Sequence, residues 1–134
     1  MRSLLFGLMV GLMLSAPAGA QQADAIQGVI RGQMDAFRSG DVDAAFDYAS
    51  PGIQGLFGTA ESFGQMVREG YPMVWHPQSV EFGSLSQTEG ALWQRVIVRD
   101  GQGVPYALDY MMEQINGAWR IGGVRFVTDP AVSA

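Results

Sequence analysis

Residues 104–127 read VPYALDYMMEQINGAWRIGGVRFV, and this stretch decides the architecture. From Val104 to Ile115 apolar residues recur at every second position, the period of an extended strand. Asn116-Gly117 follows, the strongest short hairpin signal, because both residues tolerate the positive φ of a type I′ turn. A second strand then runs from Ala118 to Val127, with Gly122-Gly123 as a bulge. Parity sets the faces: Tyr106, Leu108, Tyr110 and Met112 point one way, and Ala107, Asp109, Met111 and Glu113 the other. A two-residue turn places Met112 opposite Ile121 and Gln114 opposite Trp119. Tyr106, Leu108, Tyr110, Met112, Trp119 and Ile121 therefore form one apolar face.

Upstream, Ala91 to Arg99 is a third strand, ended by Asp100-Gly101-Gln102-Gly103, and Val80 to Leu85 alternates weakly as a fourth. Two registers are open for the 91–115 hairpin. A two- or four-residue loop brings Trp93, Arg95, Ile97 and Arg99 onto the apolar face, whereas a three-residue loop with a bulge brings Leu92, Gln94, Val96 and Val98. The second avoids burying two arginines, whose desolvation is costly, and is preferred. In that register Trp93, Ile97 and Met111 share the outer face and make a candidate dimer surface.

Before residue 79 the period is that of helices. Ile26, Val29, Ile30, Met34 and Phe37 make the stripe of an amphipathic helix over Ala23 to Ser39, with Gly40 beyond its end. Asp41 caps a second helix from Val42 to Tyr48, which Ser50-Pro51 ends. A short helical piece follows over Gly52 to Phe57, then a helix from Ala60 to Glu69 capped by Thr59. A connector bounded by Pro72 and Pro77 leads to the strands. Helices followed by hairpins, without alternation, predict an α+β fold: N-terminal helices packed on one face of an antiparallel sheet of about four strands.

The start of the chain reads as a leader. Arg2 precedes an apolar run from Leu4 to Leu14, and Ala18-Gly19-Ala20 supplies a small-x-small cleavage site. The run is too short for the ~20 apolar residues that span a membrane. The expected organisation is thus residues 1–20 as signal peptide and 21–134 as one domain, with no membrane span after cleavage and a periplasmic or extracellular location. There is no cysteine, so neither a disulfide nor a lipidated mature end is available. The chain has no lysine and a formal charge of −5, or −6 once Arg2 leaves. Such a surface disfavours nucleic acid and anionic lipid as partners.

The elements, once placed, carry a resemblance. Ala44 through Ile53 (AAFDYASPGI), Phe57-Gly58, Phe63 with Met66-Val67, Gly70-Tyr71-Pro72, Gln94-Arg95-Val96 and Trp119 through Gly123 (WRIGG) together resemble an exported bacterial family known as a domain of unknown function. That family is similar to the nuclear-transport-factor-2-like superfamily, or cystatin-like cone. The resemblance implies a curved sheet wrapped around helices, often with a conical pocket and often dimeric through the sheet. It implies no activity, because the superfamily hosts isomerases, dehydratases, transport factors and binding modules.

Candidate chemistry is sparse. His76, the only histidine, lies between prolines and reads as a solvated loop residue. One histidine without cysteine makes zinc improbable, and no cofactor or metal is expected. Asp41, Asp43 and Asp47 lack the ligand and glycine pattern of a calcium loop, and read as a cap with first-turn charge. Asp109 and Glu113 have the opposite parity to Tyr106 and Tyr110, which argues against a pocket carboxylate–phenol pair on this strand. Asp47 beside Tyr48 points elsewhere on its helix. Asp100-Gly101-Gln102-Gly103 opens no helix, so it is a hairpin rather than a phosphate cradle. If a cavity remains between helices and sheet, Tyr48, Tyr71, Tyr110 and Trp119 are expected to line its mouth. The expected function is a non-catalytic exported module for a small apolar ligand or a partner protein. The alternatives are a cone-fold isomerase or hydrolase and a structural homodimer through the outer face.

Overall fold

The computed structural model describes Gly11 and residues 18–128. Helices α1 (Ala18–Arg38), α2 (Val42–Asp47), α3 (Pro51–Phe57), α4 (Ala60–Gly70) and α5 (Pro72–Trp75) come first. Strands β1 (Ser79–Thr88), β2 (Ala91–Arg99), β3 (Pro105–Ile115) and β4 (Ala118–Phe126) follow. The strands form one antiparallel meander in the order β1-β2-β3-β4. Most of the expected leader lies outside the described residues. Its last three positions, Ala18 to Ala20, are exposed in the first turn of α1, which begins before the predicted Ala23. Beyond Thr128, the tail also lies outside them. Among the described residues no helix is long and apolar enough to cross a membrane.

Side-chain caps set the helix starts. The Asp41 carboxylate accepts from the Ala44 amide at 3.1 Å, Ser50 Oγ from Ile53 at 3.2 Å and Thr59 Oγ1 from Ser62 at 3.1 Å, each satisfying an amide that a helix start leaves open. Helix α1 buries Ile26, Ile30, Met34 and Phe37, with Gln33 in the same stripe. Helix α5 was not expected. Four residues are too few to display a 3.6-residue period, yet Pro72 presets the first turn, and Met73, Val74 and Trp75 are all buried.

The sheet register follows from three turns. Glu89 (φ 55°) and Gly90 (φ 78°) form a two-residue turn between paired Thr88 and Ala91, extending β1 past the expected Leu85. In the next hairpin the Gly103 amide donates to Asp100 O at 2.9 Å and the Asp100 amide to Val104 O at 3.0 Å. Gly103 is left-handed at φ 79°. This is the three-residue loop with a glycine bulge. The Asp100 carboxylate holds it by accepting from the Gln102 and Val104 amides, both at 2.9 Å. Val98 therefore pairs with Tyr106, Val96 with Leu108, Gln94 with Tyr110 and Leu92 with Met112. Arg95 and Arg99 stay on the outer side. In the third hairpin Asn116-Gly117 turns the chain as expected, and Gly122 is an extra residue between the pairs Met112–Ile121 and Met111–Gly123.

Val96, Val98, Leu108, Tyr110, Met112 and Ile121 are buried beneath the helices, whereas Tyr106 and Trp119, expected on the same face, are half-buried. A corner stitch fixes the helices to the sheet edge. The Ser50 amide donates to Ile121 O and the Ile121 amide to Tyr48 O, both at 2.8 Å, so the α2–α3 junction runs parallel to β4 for one bridge.

Candidate functional site

The corner stitch aims α3 across the mouth of a cavity of about 270 Å³ between helices and sheet. Its size lies near the lower end of the ~300–1,000 Å³ range of ligand pockets. The floor is the inner face: Tyr110 of β3 with Ile121 and Val124 of β4. One wall is α4 with Phe63, Met66 and Val67, and α1 closes the back with Gln33 and Phe37. Helix α3 supplies Ile53, Leu56 and Phe57. No residue of α3 is buried, and Leu56 is 74% exposed. The helix therefore acts as a rim rather than as part of the core. Phe63 organises the interior, with ring centroids 5.8 Å from Phe37, 5.4 Å from Phe46 and 5.6 Å from Phe57.

Polar groups in the wall are few. Gln33 Nε2 donates to Ala45 O at 3.2 Å, tying α1 to α2. Tyr71 donates to Val124 O at 3.4 Å and stacks on Phe126, with centroids 5.1 Å apart. Tyr110 is fully buried, and its hydroxyl has no partner among the protein groups. Burial raises its pKa above the ordinary tyrosine value, with the Tyr71 phenol adding to the shift. It is therefore a neutral phenol.

The cross-strand neighbour of Tyr110 is satisfied at one end only: the buried Gln94 Oε1 likewise has no protein partner, whereas Nε2 is fully engaged. Gln94, also fully buried, donates through Nε2 to Gly83 O at 3.0 Å, Ser84 O at 3.4 Å and Arg95 O at 2.9 Å. Three carbonyls around one nitrogen fix the amide orientation and pin the bulge of β1 at Gly83-Ser84. Gln94 is outside the cavity wall and serves the fold.

Of the four aromatics expected at the mouth, Tyr71 and Tyr110 are in the wall. The other two are corrections. Tyr48 lies half-buried over Gly32, with no room for a side chain at that glycine, because the α2 turn directs it back onto α1. Trp119 packs partly buried against the edge of the core but lies outside this wall. It lines a wider cleft of about 420 Å³ shared with Gln22, Gln87, Glu113 and Gln114. The wall residues missed by sequence reading had a signal. Ile53, Leu56 and Phe57 have helical i, i+3, i+4 spacing, and Gln33 interrupts the apolar stripe of α1.

On the outer face Trp93, Ile97 and Met111 are half-buried. Asp109 faces outward as parity requires, yet it is only 7% exposed. Arg95 grips it with Nε at 2.6 Å and Nη2 at 3.3 Å, Arg125 Nη2 lies at 3.7 Å, and the Arg125 guanidinium covers the Trp93 ring at 3.8 Å. His76 is exposed. Among the described residues no group of three or more His, Cys, Asp or Glu is placed to hold a metal ion.

The fold is similar to an NTF2-like protein of unknown function from Shewanella baltica, at TM-score 0.53 and 14% identity, covering 86% of this chain and 99% of that one. It is also similar to Rd1NTF2, a substituted NTF2 protein, at TM-score 0.56 and 20% identity, covering 79% of this chain and 99% of that one. At these identities the likeness establishes the NTF2-like α+β fold alone. No curated protein is significantly similar. The family described as Domain of unknown function (DUF4864) matches residues 19–134, and the chain belongs to that family.

Proposed function

We propose that the chain is an exported, non-catalytic module that holds one small, largely apolar molecule in the cavity beneath α3. The single observation that carries the reading is a wall of aromatic and aliphatic side chains around Tyr110, which has a buried hydroxyl without a protein partner. Burial of apolar ligand surface drives binding in such a site, by roughly 25 cal/mol for each Å² removed from water. The wall residues include no carboxylate, imidazole, amine or guanidinium among the described residues. The titratable wall groups are two phenols; Tyr71 already donates to Val124 O and burial keeps Tyr110 neutral, so the composition favours holding over turnover. Export is supported by the apolar run from Leu4 to Leu14 and the Ala18-Gly19-Ala20 site.

The neutral fluorophore phenyl-α-naphthylamine tests the site. Saturable fluorescence enhancement is expected with the parent protein. At least a tenfold weaker response is expected for Ile53→Trp, which fills the mouth from an incompletely buried position. Enhancement of equal strength in a folded Ile53→Trp variant, or none in the parent, rules the cavity out.

A further inference from the structure

Among the described residues, α3 is the one element of the cavity wall that the core does not hold. Helices α1, α4 and α5 and strands β3 and β4 each give that wall a buried residue: Phe37, Phe63, Val74, Tyr110 and Ile121. Helix α3 gives it Ile53, Leu56 and Phe57, none of them buried. Seven residues are too few to make a stable helix by themselves in water. Two of the seven, Gly52 and Gly55, weaken it further, because glycine loses more backbone freedom than alanine on ordering. Segments with few buried contacts are the ones that open locally while the rest of a fold persists.

The two ends of α3 are fastened differently. At the start, the Ser50 amide donates to Ile121 O at 2.8 Å and Ser50 Oγ accepts from the Ile53 amide at 3.2 Å. Gln54 Nε2 donates to Phe46 O at 2.9 Å and to Ala49 O at 3.2 Å, so its amide ties α3 to the end of α2. Past Gln54 come Gly55, then Leu56, which is 74% exposed, then Phe57, whose ring meets Phe63 with centroids 5.6 Å apart. Gly58, left-handed at φ 77°, ends the helix in open space.

We infer that α3 is the gate of the cavity: Gly55 to Phe57 unwind from a hinge at Gln54 to admit the ligand, then rewind across the mouth. This rests on the ligand-holding reading of the same cavity. A gate has a kinetic signature. The helix is wound in the empty protein and over the ligand, and unwound in between. A substitution that favours winding therefore slows entry and exit equally and leaves the dissociation constant unchanged. A residue that acts by touching the ligand alters the affinity instead.

Gly55→Ala isolates the effect, because a Cβ added there meets nothing within 4 Å and helix propensity alone changes. Stopped-flow mixing with phenyl-α-naphthylamine should show association and dissociation both slowed about fivefold, at an unchanged dissociation constant. Gln54→Ala, which frees the hinge, should speed both about fivefold. Gly28→Ala is the control: it lies in α1 with equally open surroundings, outside the wall, and should leave both rates unchanged. Parent-like rates in Gly55→Ala, a change confined to affinity, or equal slowing by Gly28→Ala overturns the gate and leaves the cavity reading intact. No saturable enhancement with the parent overturns both. Should Gln54→Ala fail to fold, the comparison of the two glycine variants still decides.

Discussion

On the inner side of the sheet, Val96, Val98, Leu108 and Ile121 are sealed under helices and held by exclusion of water alone. On the outer side, half-buried Trp93, Arg95 and Met111, buried Asp109 and exposed Arg125 form a single layer held by charge, with a cation over an indole and a carboxylate between two guanidinium groups. The same three strands present both layers, one residue out of phase. The inner layer leaves a cavity that its aromatic rings and the rim helix α3 do not fill. The outer layer closes on itself because long, flexible arginine stems can fold down over their neighbours.

The largest expected contrast comes from truncation. Leu108→Ala, at a fully buried inner position, should cost about 3 kcal/mol in urea unfolding, within the range for a leucine lost from a core. Ile97→Ala, half-buried on the outer face, should cost about 1 kcal/mol. Equal costs would show that the two faces are held alike. Charge deletion comes next. Asp109→Ala removes the carboxylate from Arg95 and Arg125, whose exposure moderates the loss, so about 1.5 kcal/mol is expected. An unchanged urea midpoint would mean that the ion pair adds nothing to the outer layer.

The smallest effect is alkaline and belongs to the inner layer. Burial raises the Tyr110 pKa in the folded state, so above about pH 10 the unfolded chain releases a proton that the folded chain retains. The stability linked to Tyr110 is thus complete below that pH and declines as pH rises, by up to about 1.4 kcal/mol per unit. Unfolding midpoints compared at about pH 8 and about pH 11 should converge less for the parent than for Tyr110→Phe, which lacks the titrating group. An identical alkaline loss in both proteins would remove Tyr110 from the account.

Much of the sheet was legible because turn chemistry is local. Asn116-Gly117, the Asp100–Gly103 loop and Gly122 each carry their backbone requirement in their own residues, and the inward face of β2 followed from the cost of burying arginine. The helical rim of the cavity was visible as spacing, but the cavity itself was not, because its walls come from α1, α3, α4 and the sheet, which are distant in sequence. Parity placed Asp109 on the correct side without indicating its depth. That depth comes from Arg95 and Arg125, which lie on separate strands. Helix α5 was invisible because Pro72 to Trp75 is a single turn.

Gly122 has an effect out of proportion to its size. As a lone inserted residue it advances the remainder of β4 by half a pleat. Val124 thereby turns toward the cavity beneath α3 and Arg125 toward Asp109; without the insertion the two would exchange sides, placing a cation in the oily compartment and a valine beside the carboxylate. One glycine thus acts as a frameshift in the backbone and sorts the end of the strand into its two environments.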